Sequence, residues 1–224
     1  AMNSLYSQCS FSPDVHDDEV DATMLLDSSD TTVPHDAVQA SLAHLLSRWL
    51  QTVRDRTGGL PRLVHDDEWP SPCIVEGPDA HGQVQWQPRA RTQGADFSGI
   101  ERALETRLHA DIQSFYGSFY SNPVPMRAAH GPLTLLQVWS DRDFERLQEN
   151  LLGHAFLQQR AKQPLSVFIA VTDEDDLNLC VSNEYGNVVL ERPGQAPLRE
   201  IAPSLAVFLE SLEPLGEDGG VDTA

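Results

Sequence analysis

The chain has 224 residues, with 34 acids against 15 Lys and Arg, for a net charge of −19 at pH 7. Such a charge disfavours contact with nucleic-acid phosphates and with an anionic bilayer surface. No apolar run approaches the ~18–20 residues of a membrane span, and 40% hydrophobic content is enough for one globular domain with tails.

Residues 1–35 hold seven acids and neither Lys nor Arg, with Ser and Thr interleaved in 27-DSSDTT-32. A segment this polar buries too little apolar surface to order itself, so a flexible acidic tail is expected there. Its one apolar piece is 22-ATMLL-26. The opening residues also lack the basic stretch and apolar core expected of a secretion signal. Taking the tail's seven acids away leaves −12 on residues 36–224, so the expected domain is acidic too.

In 36-DAVQASLAHLLSRWLQTVRDR-56, apolar residues from Val38 to Val53 follow helical spacing, with Asp36 as a cap and Gly58, Gly59 and Pro61 as the stop. The short runs 69-WPSPCIVEG-77 and 83-QVQWQP-88, split by 78-PDAHG-82, read as a hairpin. A second helix is expected within 97–120 from the stripe Ile100, Leu104, Leu108, Ile112 and Phe115, with Ser98 and Glu101 as a capping box. A central strand follows at 131-GPLTLLQVW-139.

Ser140 then caps a third helix, with Asp143 placed to favour its start. Its buried stripe is Phe144, Leu147, Leu151 and Ala155, and Pro164 ends it. Strands are expected at 165–172, 177–183 and 187–192, the last two joined by the tight connection 184-EYG-186. A final helix over 204–215 turns Leu205, Phe208, Leu209 and Leu212 inward, and residues 216–224 are expected to fray. The order defines an α/β domain of the α+β kind over 36–215, a mixed, largely antiparallel sheet with packed helices.

Chemistry is hard to find in this chain. Phosphate-binding loops, the dinucleotide turn, the nucleophile elbow and the HExxH helix are all missing. Cys9, Cys73 and Cys180 are too scattered for a disulfide framework or a zinc site, and Cys73 has neither a helix start nor a base beside it to activate a thiolate. His154 reads as a lone helix histidine with a structural or surface role. His65 beside 66-DDE-68 reads as a solvated loop. The run 173-DEDD-176 lacks the alternation, central Gly and terminal Glu of a calcium loop, and reads as a negative knob. Neither a catalytic residue, a metal ligand nor a cofactor site is expected. An acidic surface of this kind suits a basic protein partner.

One series of motifs is more specific. In order and with compatible spacing, 70-PSPCIVEG-77, 84-VQWQP-88, 100-IERALE-105, 133-LTLLQVWSDRDFERLQENLLGH-154 and 164-PLSVFIAV-171 closely resemble the Syd family of SecY-interacting bacterial proteins, over about residues 40–215. The resemblance implies a SUKH-type α/β fold and no catalysis or cofactor. It also implies a cytoplasmic protein held peripherally on the inner membrane by the SecY channel, which it would check for incomplete assembly; a monomer is expected. The partner would be the Lys- and Arg-rich cytoplasmic loops of SecY, with no nucleic acid and no direct lipid contact. Glu76, Asp143, Glu149, Asp173, Glu174, Asp175 and Asp176 are the expected contributors to the docking surface. The alternative within the same superfold is an immunity protein that neutralises a basic nuclease toxin.

Overall fold

The computed structural model describes residues 35–174 and 176–216. Expectations for residues 1–34 and 217–224, for the Asp36 side chain and for Asp175 fall outside the described residues. Helix α1 (His35–Thr57) opens the fold as its apolar periodicity demands, with Val38, Leu42, Leu45, Leu46, Trp49 and Val53 all buried. Two short strands follow, β1 (Arg62–Val64) and β2 (Gln83–Gln85), which pair antiparallel with Leu63 opposite Val84. This corrects the expected hairpin. The stretch 69–77 meets the 83–88 run at one isolated antiparallel bridge, Ile74 with Trp86, where Val75 N–H donates to the Gln85 carbonyl and Gln87 N–H to the Cys73 carbonyl, while β1 takes the other edge of β2.

The helix expected over 97–120 is broken in two: α2 (Ser98–Ala103) and α3 (Ala110–Gly117), with the short strand β3 (Arg89–Ala90) before them. Glu105 takes a left-handed φ of 51°, which ends the first piece. The Glu101 carboxylate then bridges the gap, accepting from Leu108 N–H at 3.0 Å and from Gln113 Nε2 at 3.1 Å. Helix α3 restarts under a His109 cap, whose Nδ1 accepts from Asp111 N–H at 3.2 Å. The capping box at Ser98 is also corrected: Phe97 is the N-cap residue, and Asp96 Oδ1 accepts the Ser98 N–H at 2.8 Å.

After β4 (Phe119–Tyr120), which pairs with β3, the chain builds one seven-stranded sheet. Its strands are β5 (Val124–Ala128), β6 (Gly131–Leu135), β7 (Ser166–Thr172), β8 (Asn178–Ser182), β9 (Val188–Glu191), β10 (Arg199–Ala202) and β11 (Glu213–Pro214). The order across the sheet is β10-β9-β8-β7-β6-β5-β11, and the sheet, expected to be mixed and largely antiparallel, is antiparallel at every pairing. Strands β5 to β10 form a meander in chain order, while β11 returns to the far edge beside β5.

Helix α4 (Asp141–Arg160) lies between β6 and β7, and α5 (Leu205–Ser211) between β10 and β11. The link through α5 sets the shape of the sheet. Seven strands laid flat would put β10 and β11 about 29 Å apart at ~4.8 Å spacing. A seven-residue helix and its short flanks span only about 24 Å. The sheet therefore curls. Helix α1 packs against α3, α5 and β11, and α4 packs on β7.

One core serves the whole unit. Trp49 of α1 stacks on Trp86 at 5.2 Å, and Trp86 meets Trp139 edge-on at 5.6 Å. These three rings join the first helix to the β1–β2 layer and to the segment leading into α4. The stripe Phe144, Leu147, Leu151 and Ala155 faces inward on α4 as expected, and so do Leu205, Phe208, Leu209 and Leu212 at the end of the chain.

Candidate functional site

Helix α4 starts under the expected cap: Ser140 Oγ accepts from Asp143 N–H at 3.3 Å. The opposite side of its buried stripe carries Asp141, Glu145 and Glu149, all exposed and spaced by four, so their carboxylates rise along one line. Two surface hollows flank the start of that line and share Asp141. Asp96 and Glu145 line one; Asp67 and Glu68 line the other, beside Trp69, Pro70 and Pro72.

The cations in this region are held at its margins by partners of their own. Arg91 has a side chain only 6% exposed, lies 4.3 Å from the Tyr120 ring centre, and pairs with Asp141 at 2.9 Å. Arg142 and Arg146 sit over the Trp69 ring at 4.6 and 4.7 Å, and Arg142 also donates to the Glu68 carbonyl at 3.0 Å. Glu145 and Glu149 enter no ion pair within 4 Å among the described residues. The Ser98 N–H holds the Asp96 carboxyl below its ordinary range, which keeps that group charged. Six carboxylates (Asp67, Glu68, Asp96, Asp141, Glu145 and Glu149) thus meet three guanidiniums, Arg91, Arg142 and Arg146, along the stripe and its hollows, so the patch is negative.

The residues expected from sequence divide sharply. Glu149 belongs to the stripe. Asp143 does not: it is 2% exposed, and its carboxylate turns back to accept the Trp139 N–H at 2.8 Å. Burial raises its pKa, an effect the bond from Trp139 and the charge of Arg146 only partly oppose. The same position that favours the helix start takes this acid off the surface.

Asp173 and Glu174 are exposed at the rim of a separate trough on the sheet, floored by Leu133, Leu179, Leu190 and Ile201. His130 and Arg199 line that trough too, so its charge is mixed. Asp176 is paired with Arg192 at 3.0 Å. Glu76 is exposed on the loop before β2. Sequence reasoning missed Asp141, Glu145, Asp96, Asp67 and Glu68 as members of one patch. The spacing 141, 145, 149 was the available signal; the two flanks come from loops that only the fold brings alongside.

The Cys73 thiol is pushed up to about 11, chiefly by burial, which leaves it protonated and unreactive at neutral pH. No helix among the described residues is long and apolar enough to cross a membrane. The geometry defines an α+β domain with an acidic patch along α4.

Comparison with known proteins gives that class a family. The model of the Syd protein family (SUKH-2) matches residues 39–214. A Protein Syd of Pseudoalteromonas atlantica is 38% identical over 183 residues, 81% of this chain and 98% of the relative. Those of Alteromonas mediterranea and Yersinia pestis are each 40% identical over 178 residues, covering 80% of this chain and 97% and 96% of their own. This chain belongs to the Syd family.

Proposed function

We propose that this chain is a non-catalytic binding protein that docks, through the acidic face of α4, on the basic cytoplasmic loops of SecY. On this reading it is held peripherally at the inner membrane and senses channels not yet assembled with their partners. The family supports the partner, and the stripe of Asp141, Glu145 and Glu149, of which only Asp141 is ion-paired, supports the surface. Cytoplasmic loops of membrane proteins are enriched in Lys and Arg, which such a stripe attracts, while an anionic bilayer repels it. Glu76, Asp173, Glu174 and Asp176, exposed on other parts of the molecule, add to the long-range field that speeds encounter.

The reading is tested by capture of SecY from detergent-solubilised membranes, with association rates measured at several salt concentrations. The wild-type chain is expected to retain SecY at low salt and to lose association rate steeply as salt rises. The double reversal E145K/E149K should slow association by about 10-fold or more at low salt. An unchanged rate in that variant removes α4 from the docking surface. Failure of the wild-type chain to retain SecY at low salt sinks the function itself.

A further inference from the structure

Three side chains far apart in sequence meet in the interior under α4. His154 of α4, Cys180 of β8 and Glu191 of β9 each offer one ligand atom, and the three atoms lie within 4.8 Å of one another. The sheet register explains the meeting. Cys180 pairs with Val189, two residues before Glu191, so Cys180 and Glu191 share a face of the sheet. On that face the His154 ring packs edge-on against Phe168 at 5.5 Å. All three residues are buried, at 2%, 0% and 1% exposure.

The histidine singles this cluster out. Neither of its ring nitrogens has a hydrogen-bond partner, although burying polar atoms unsatisfied is costly. Nε2 stands 3.4 Å from Glu191 Oε1. Two donors bound at ~2.0–2.1 Å to one tetrahedral ion are separated by about 3.3–3.4 Å, so this pair already holds the required spacing. Glu191 Oε1 is itself steadied by Ser166 Oγ at 2.7 Å and Gln158 Nε2 at 3.2 Å, the kind of outer contact that orients a ligating carboxylate.

We propose that His154, Cys180 and Glu191 bind one zinc-type divalent ion, which fastens α4 to β8 and β9. Thiolate, imidazole and carboxylate are all donors that zinc accepts. The thiolate and carboxylate charges cancel those of the ion, so the filled site is neutral in a low-dielectric interior. A water would complete the tetrahedron. A simple ion pair between His154 and Glu191 makes no demand on Cys180, and that thiol separates the two arrangements.

The full-length protein, stripped with a chelator, is titrated with Co²⁺ and then with Zn²⁺. The expected result is one equivalent of Co²⁺, a strong thiolate-to-cobalt absorption band, and loss of that band as Zn²⁺ displaces it. The melting temperature should rise by about 5–10 °C once Zn²⁺ stands near 100 times its Kd. C9S should keep the band, and folded C180S should lose it. A folded wild-type chain that binds no equivalent of Co²⁺, or a band that survives in C180S, overturns the site. If C180S does not fold, H154Q decides: Co²⁺ affinity lower by more than about 10-fold supports the site, and unchanged affinity overturns it.

Discussion

The Asp143 carboxylate accepts the Trp139 backbone N–H at 2.8 Å from a position that is 2% exposed. One acid thus closes the turn between the end of β6 and the start of α4, while burial raises its pKa. D143A leaves the Trp139 amide without its acceptor and should cost about 1–3 kcal/mol. D143N keeps an acceptor and removes the buried charge, so it should stay within about 1 kcal/mol of wild type or exceed it at pH 7. With a raised native pKa, the folded chain takes up a proton before the unfolded chain does as pH falls. Wild type should therefore gain stability relative to D143N between the raised value and the ordinary carboxylate range. Urea unfolding of the three proteins across that range checks the sign.

Tyr116 of α3 donates its hydroxyl to the Phe168 carbonyl of β7 at 2.6 Å, inside the core and across 52 residues of sequence. Y116F removes only the donor and should cost about 1–3 kcal/mol, as the carbonyl is left in an apolar surrounding. The measurement is the urea midpoint, with the slope of the transition unchanged.

Gly186 closes the β8–β9 turn at a φ of +72°. A Cβ there would stand 2.6 Å from His109 Cε1, the ring that caps α3. G186A combines left-handed strain with a clash on a cap and should destabilise by more than about 1 kcal/mol. Thermal unfolding measures the loss, which a repacked histidine would reduce.

The Cys73 thiol, pushed up to about 11 by burial, should resist alkylation in the native protein near pH 8 and react once the chain is unfolded. Above the ordinary thiol pKa the unfolded chain ionises and the native chain does not. The contribution of Cys73 to stability should therefore fall as pH rises from about 9 towards 11. Mass spectrometry of alkylated peptides before and after denaturant, together with pH-resolved unfolding of C73A, reads both effects.

What the sequence disclosed was the long periodic elements. The stripes on α1, α4 and α5 are visible because several apolar residues repeat at helical spacing, and the Ser140 cap because its partners lie within one turn. Strand β1 escaped notice because three residues show no period, and what makes it a strand is Val84, far along the chain. Strands β5 and β10 were missed for related reasons: one contains Pro125, and the other is a four-residue edge strand with a register shift. The break between α2 and α3 depends on Glu101 reaching Leu108, a contact no propensity encodes. For the acidic patch, the spacing of Asp141, Glu145 and Glu149 held the signal and only Glu149 was drawn from it, while the loops bearing Asp67 and Asp96 join the line only through folding. Proximity to a helix start suggested that Asp143 faced solvent, and the same local bond hid it.

The return of β11 to the side of β5 has a consequence for how the protein is made. During synthesis, β5 to β10 leave the ribosome in the order in which they pair, so each can zip onto its predecessor as it appears. Helix α1 is finished first, yet two of its neighbours, α5 and β11, come from the last part of the described chain. At ~5–20 residues per second, the roughly 150 residues between α1 and α5 take about 7–30 seconds to translate. For that interval the nascent chain carries an amphipathic helix lacking half its shelter, a natural target for chaperones.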